Sequence, residues 1–169
     1  MVIWIIGKSG VGKTYLSKLL FIKLKERIKK VAWIDGDKFR KKFSKDLGYS
    51  LNDRKKNSKR IQKYCKKLEK DNLIVICSIL SIFKEHQRKN RNFYNQYFQI
   101  YISANQKKLV QRNNKKIYSN KKNIVGKDIR FPKPYKSDME IKNTFNKSFL
   151  KKANEIEKKI YKNLSLKNK

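Results

Sequence analysis

The run Gly7-Lys8-Ser9-Gly10-Val11-Gly12-Lys13-Thr14 has the residue types and spacing of a polyphosphate cradle. It fits G-x-x-x-x-G-K-[ST] in full, follows an apolar strand-like run and opens a stretch of helical period, which is the context the motif requires. Gly7, Gly10 and Gly12 let the backbone curl so that its N–H groups, those of Lys8, Ser9 and Val11 included, face an anion. A helix beginning near Lys13 adds the positive end of its dipole. Lys13 is expected to reach the β- and γ-phosphates of ATP, and the Thr14 hydroxyl to coordinate Mg2+. The cradle alone serves ATPases, GTPases, motor domains and small-molecule kinases, so other residues must choose among them.

Two carboxylates follow at the end of a second apolar run, in Trp33-Ile34-Asp35-Gly36-Asp37. In an open parallel sheet the C-terminal ends of the strands are where ligands bind. Asp35 is expected there to orient the metal and to accept a proton from an attacking hydroxyl, a role Asp37 could share. With only Gly36 between them, the backbone can turn closely around a substrate. The competing reading is an aspartate turn that caps a helix starting near Lys38. Arg40 comes next, and then Leu47-Gly48-Tyr49-Ser50 and Asp53-Arg54-Lys55-Lys56-Asn57-Ser58-Lys59-Arg60-Ile61. With Asp53 as a cap, Arg54, Asn57 and Ile61 fall at helical spacings of three and four, on one side. A guanidinium fork suits a phosphate or sulfate, and an amide adds a neutral donor and acceptor. In so lysine-rich a chain, a basic face that merely meets water stays open.

Taken together, these segments resemble the adenylyl-sulfate kinase (APS kinase) family of P-loop kinases. That family's D-G-D and following arginine, its L-G-[FY]-S and its D-R-x-x-N-x-x-R-I are matched in order and spacing by Asp35 to Asp37 with Arg40, Leu47 to Ser50 and Asp53 to Ile61. Ile79-Leu80-Ser81-Ile82-Phe83 is similar to its I-S-P-[FY] turn and Lys115-Lys116-Ile117-Tyr118 to its K-G-L-Y. Asn123 to Pro132 is similar to its lid segment N-V-V-G-V-D-I-P-F. The resemblance covers the chain to about Asn143. It implies transfer of the γ-phosphoryl group of ATP to the 3′-hydroxyl of adenosine 5′-phosphosulfate, in the service of sulfate assimilation. On this basis Asp35 and Asp37 flank the hydroxyl and the metal, with Thr14 and Asp35 on Mg2+. Arg40, Arg54 and Asn57 hold the phosphosulfate and ribose, Ile79 lines the same site, and Tyr49 and Phe131 lie against the substrate adenine. Lys115 stabilises charge on the moving phosphoryl and Arg112 lies near the ATP base. Ser81 matches a serine described in the family as a phosphoserine intermediate, although direct in-line transfer needs only positioning and charge stabilisation. Similar kinases are often dimers, which leaves a homodimer open.

This chain also departs from the family pattern. Ile82 replaces the proline, Lys84 and Gln87 stand where arginines are frequent, Asn113 replaces an aspartate and Lys116 replaces the glycine of K-G-L-Y. A diverged P-loop kinase acting on another small alcohol or nucleotide is therefore an alternative, since fold does not fix function. A basic nucleic-acid-binding P-loop protein is a second, and a noncatalytic regulator a third that the retained Lys13 and Asp35 argue against.

These residues need a scaffold. Apolar runs at Val2 to Ile6, Val31 to Ile34, Leu73 to Cys77, Phe98 to Ile102 and Met139 to Ile141 read as strands. They alternate with amphipathic stretches at Lys13 to Arg27, Arg54 to Lys70 and Gln106 to Asn113. That alternation predicts a three-layer α/β P-loop fold, a mostly parallel five-stranded sheet flanked by helices. The chain reads as a single domain over 1–169, with a lid at about 113–135 and a C-terminal packing helix at about 145–164. A solvated surface excursion is the other reading of the long connection.

Of 169 residues, 46 are Lys or Arg and 13 are Asp or Glu, a formal net charge of +33. The excess raises the question of an anionic macromolecule as partner. Lysine, asparagine and isoleucine are all abundant, however, as expected of a coding sequence rich in A and T, and the lysines are spread from Lys8 to Lys169. Scattered like charges carry little information about a partner. No specific nucleic acid and no membrane is expected, because no nucleic-acid module is recognisable and no apolar run approaches the length that spans a bilayer. The chain reads as cytoplasmic. Cys65 and Cys77 have no metal-ligand spacing and read as buried free thiols. The lone His86, in the polar stretch Lys84 to Arg88, is given no catalytic role.

Overall fold

A computed structural model describes residues 1–111, 123–146 and 148–165. Five strands, β1 (Val2–Ile6), β2 (Val31–Asp35), β3 (Ile74–Ile79), β4 (Tyr97–Ala104) and β5 (Met139–Asn143), form one sheet in the order β2-β3-β1-β4-β5. Every pairing is parallel, with Ile6 opposite Ile79 on one side and Tyr101 on the other. The helices are α1 (Lys13–Lys25), α2 (Gly36–Phe43), α3 (Leu51–Lys70), α4 (Lys84–Phe93), α5 (Gln106–Gln111) and α6 (Ser148–Ser165). The α/β expectation holds, and the sheet is wholly parallel.

The two-residue period of β1 divides the core. Ile3 and Ile5 join Leu16, Leu20 and Leu24 of α1 and Ala153, Ile156 and Ile160 of α6 on one face. Val2, Trp4 and Ile6 join Phe39 of α2, Ile61 and Cys65 of α3, Cys77 of β3 and Tyr94 on the other. A strand buried on both faces reads as a continuous apolar run because each face needs its own hydrophobic set. The C-terminal packing helix of the sequence reading is α6, which begins at Ser148.

Cys65 and Cys77 are free and fully buried. The structure brings these thiols, distant in sequence, to each other, and burial together with the neighbouring Cys65 pushes the Cys77 thiol well up. His86 departs from its polar-stretch reading, since it lies buried on α4 with Nδ1 2.9 Å from Ser58 Oγ. No helix among the described residues is long and apolar enough to cross a membrane.

Candidate active site

The sheet order takes the chain outward from central β1 to β2 at one edge, back to β3, and then across to β4 and β5. The C-terminal ends of β1, β2 and β3 therefore open side by side, in the crevice where ligands of such sheets sit. From β1 emerges the glycine turn. Gly12 is the N-cap of α1 at φ +98°, with no side chain capping the helix. A Cβ there would stand 3.0 Å from Asn143 Nδ2 and 3.1 Å from Phe149, so both the backbone angle and the packing behind it call for glycine. Lys13 Nζ donates to the Lys8 carbonyl at 2.7 Å, which holds the ammonium inside the loop. Asn143, at the end of β5, donates from Nδ2 to the Val11 carbonyl at 2.9 Å and accepts from the Phe145 N–H at 2.7 Å. This buried amide clamps the cradle from behind. Sequence reading missed it, and an asparagine ending a strand at the ligand edge was the one signal available.

Asp35 ends β2 beside the cradle. Its Oδ2 accepts from Thr14 Oγ1 at 2.7 Å and lies 3.4 Å from Ser78 Oγ of β3, while Oδ1 accepts from the backbone N–H groups of Asp37 and Lys38, both at 3.1 Å. Asp35 is thus the N-cap of α2, so the capping reading holds, but for Asp35 and with a helix that starts at Gly36. Gly36 does make a close approach, though its tightest neighbour is protein. A Cβ there would meet the Ser78 carbonyl at 3.0 Å. Thr14 and Asp35 together present a hydroxyl and a carboxylate, hard oxygen donors that suit Mg2+. They fit the metal expected from the motif.

Asp37, two residues on in the same turn, lines an open cleft with Gly36, Arg40, Tyr49, Arg54, Asn57, Ser58, Ile79, Leu80, Ser81, Ile82 and Phe83. Seven of the expected substrate-side or catalytic residues meet here: Asp37, Arg40, Tyr49, Arg54, Asn57, Ile79 and Ser81. The cap of α3 is Ser50 instead of Asp53. Its Oγ accepts from the Asp53 N–H at 3.1 Å and donates to Asp53 Oδ2 at 2.7 Å, an N-cap that sets the first turn bearing Arg54 and Asn57.

The cleft is electrostatically expectant. The Arg40 and Arg54 guanidiniums lie 4.5 and 5.4 Å from the centroid of the same Tyr49 ring. Burial, with the like charge of Arg40 beside it, lowers the Arg54 pKa. An anion between the two guanidiniums would relieve that repulsion. Asn57 Oδ1 is buried without a partner among the described residues. Such an orphaned polar atom at a cleft wall is what a polar ligand satisfies.

Phe131 does not line this cleft. It stacks on Tyr101 of β4, centroids 6.1 Å apart and planes 14° apart, where both rings shed water. The 123–131 segment nonetheless bridges the two halves of the site. Arg54 Nη2 donates to the Asn123 carbonyl at 2.9 Å, and a Cβ on Gly126 would lie 3.5 Å from the Lys8 side chain. Arg112 and Lys115 lie outside the described residues.

A family model described as adenylylsulphate kinase matches residues 1–142. Among curated proteins, the chain is 33% identical over 164 residues to the cytidine diphosphoramidate kinase of Campylobacter jejuni, covering 94% of this chain and 95% of that one. It is 28% identical over 170 residues to the adenylyl-sulfate kinase of Halothermothrix orenii, covering 96% and 92%. Among solved structures, the Mycobacterium tuberculosis APS kinase CysC in complex with AMPPNP and APS superposes with a TM-score of 0.83 at 23% identity, covering 92% of this chain and 94% of that one. At that identity the likeness speaks for the fold.

Proposed function

The chain belongs to the adenylylsulphate kinase family and is a phosphotransferase of that kind, and from that premise we propose that it transfers the γ-phosphoryl group of ATP to a hydroxyl of a small nucleotide whose 5′ substituent is anionic. The observation that carries this reading is the single turn Asp35-Gly36-Asp37. Its first carboxylate is bonded to Thr14 of the cradle, and its second lines the cleft that holds Arg40, Arg54 and Asn57. A donor site and an acceptor site thus share one rigid edge.

The division of labour follows from the hydrogen bonds. Asp35 already serves Thr14 and two backbone N–H groups, which suits it to hold Mg2+ with Thr14. When bound, the metal supplies charge neutralisation on the phosphates. Asp37, on the acceptor side, is the better placed of the two to take the proton of the attacking hydroxyl. Lys13 and the backbone N–H groups of residues 7–14 hold the triphosphate. Arg40, Arg54 and Asn57 hold the acceptor's anionic end, so that the hydroxyl is oriented before transfer. Ser81 is a wall residue on this reading. Lys115 and Arg112 keep the roles the family resemblance implies, charge stabilisation at the moving phosphoryl and a place beside the ATP base.

Adenosine 5′-phosphosulfate is the first acceptor this reading names, on the strength of the motifs at 35–37, 47–50 and 53–61. A second acceptor, cytidine diphosphoramidate, is favoured by the 33% identity that runs through nearly the whole of both chains to a kinase named for it. Both present an anionic 5′ group to the same two guanidiniums, and they differ in base and in terminal group. The test is turnover by purified protein with MgATP and each acceptor in parallel, with AMP and simple sugars as controls and ADP and phosphorylated product as readouts. Turnover of one nucleotide acceptor and not the other assigns the substrate, whereas no turnover of either by folded, ATP-binding protein removes the reading.

A further inference from the structure

Behind the wall of the acceptor cleft, one buried amide is bonded both to the Ser81 turn and to the segment that ends at Tyr135. Gln87 lies on α4 and is 1% exposed. Its Nε2 donates to the Ser81 carbonyl at 2.9 Å and lies 3.5 Å from Ser81 Oγ, while its Oε1 accepts from the Tyr135 backbone N–H at 2.6 Å. These partners settle which way the amide faces, because a carbonyl needs a donor and an N–H needs an acceptor, and only one orientation supplies both.

Both ends of the link matter to the cleft. Ser81 lines it at φ +42°, in the left-handed region, which a non-glycine residue occupies at a cost and keeps only where its surroundings hold it. Tyr135 closes the segment that Arg54 grips at Asn123. Its carbonyl accepts from Gln99 Nε2 at 2.7 Å, and Gln99 is fully buried in β4. Two buried glutamines therefore hold both backbone polar groups of Tyr135, and one of them also holds the turn that walls the cleft.

We propose that Gln87 is a positioning residue for the acceptor half of the reaction: it fixes the Ser81 wall and the stem of the 123–135 segment in one register, so that both meet the acceptor in a single shape. This rests on the assignment of the cleft as acceptor site. One bond holds the wall at Ser81 and the other the segment at Tyr135, while Arg91, which donates to the Lys136 carbonyl and pairs with Asp138, ties α4 to the same stretch one turn further on.

Two variants separate the halves. Gln87→Glu, in its ionised form, can still accept from Tyr135 N–H but cannot donate to the Ser81 carbonyl, and Gln87→Met keeps the approximate shape and supplies neither bond. With the acceptor that the wild-type protein turns over, the KM for acceptor is expected to rise about tenfold in each variant while the KM for ATP stays within about twofold, the size of loss that one buried hydrogen bond gives. A purely structural role would move both constants together or neither, and either result in a folded variant overturns the proposal. Amide hydrogen exchange, measured with MgATP alone, reads the same link without any acceptor. Exchange should quicken over 79–83 in both variants and over 133–137 in Gln87→Met only, with β1 unchanged. If the wild-type protein turns over no nucleotide acceptor, the proposed function fails and the exchange measurement decides this inference by itself, unchanged rates at 79–83 and 133–137 overturning it. Should one variant fail to fold, the other carries the test.

Discussion

Asp35 and Asp37 have the same side chain and lie two residues apart, yet their surroundings separate them. Asp35 is held by a hydroxyl and two backbone N–H groups, and Asp37 faces a cleft lined by two guanidiniums. If Asp37 takes the proton, Asp37→Asn keeps the shape, removes the base and lowers kcat about 100-fold or more. ATP affinity, which depends on the cradle, should not change. Equilibrium binding of ATP beside steady-state turnover checks this, and equal losses in both would reassign Asp37. Asn143 makes a different kind of contribution. Asn143→Leu removes the donor to Val11 and leaves a buried carbonyl without its partner, at a cost of about 1–3 kcal/mol. Because that carbonyl belongs to the cradle, the loss should show as a raised KM for ATP with the KM for acceptor unchanged, the reverse of the pattern expected at Gln87. Thermal denaturation and two-substrate kinetics measure the two effects separately.

At the scale of elements, what could be read from the sequence depended on what each helix buries. Strand β1 and the glycine turn were legible because a continuous apolar run and fixed spacing are one-dimensional signals, and α3 was legible because Ile61 and Cys65 mark an apolar stripe behind Arg54 and Asn57. Helix α4 was not legible as a helix. The residues it buries are His86, Gln87 and Asn90, all polar, so hydrophobic periodicity has nothing to report. Their partners lie outside the helix, some near in sequence and some far: Ser58 for His86, Ser81 and Tyr135 for Gln87, Gln62 and Tyr97 for Asn90. Buried polar side chains are bonded as a rule, but the bonds join elements, and no local pattern records them. The same helix implies a pH dependence. Burial lowers the His86 pKa, Lys55, Lys59 and Lys89 lower it further, and Glu85 opposes them. A folded pKa below the unfolded one means that the unfolded chain binds the proton first. The stability contributed by neutral His86 is therefore complete above about pH 6.5 and is lost as the pH falls through the folded value. The melting temperature is expected to drop between pH 7.5 and 5.5, and to drop less in His86→Gln, which cannot titrate there. An equal drop in both proteins would place the acid sensitivity elsewhere, with Glu69 the next group to examine, at lower pH. Burial raises the Glu69 pKa, but bonds to Lys66 and to the N–H groups of Asn95 and Gln96 outweigh it, so its stabilisation too is lost on acidification.

Across the whole molecule, the +33 charge acts on two equilibria with opposite signs. Like charges spread over a compact surface repel one another and favour the expanded chain, so added salt, which shortens the Debye length from about 30 Å at 0.01 M to about 8 Å at 0.15 M, should stabilise the fold. The same field gathers anions, and both proposed substrates are anions. Screening it should therefore lower kcat/KM for ATP and for the acceptor even as the protein becomes harder to melt. A charge retained for binding a nucleic acid predicts something else: log affinity for random oligonucleotides falling linearly with log salt, with a slope near the number of phosphates contacted. The lysines are spread along the sequence from Lys8 to Lys169 instead of forming one block, which favours the first account. Melting temperature, kcat/KM and oligonucleotide affinity measured across one salt series distinguish the two. A rising melting temperature with falling kcat/KM and only weak oligonucleotide binding supports a kinase that carries its charge as a general field, while tight, steeply salt-dependent oligonucleotide binding would give the lysines a partner of their own.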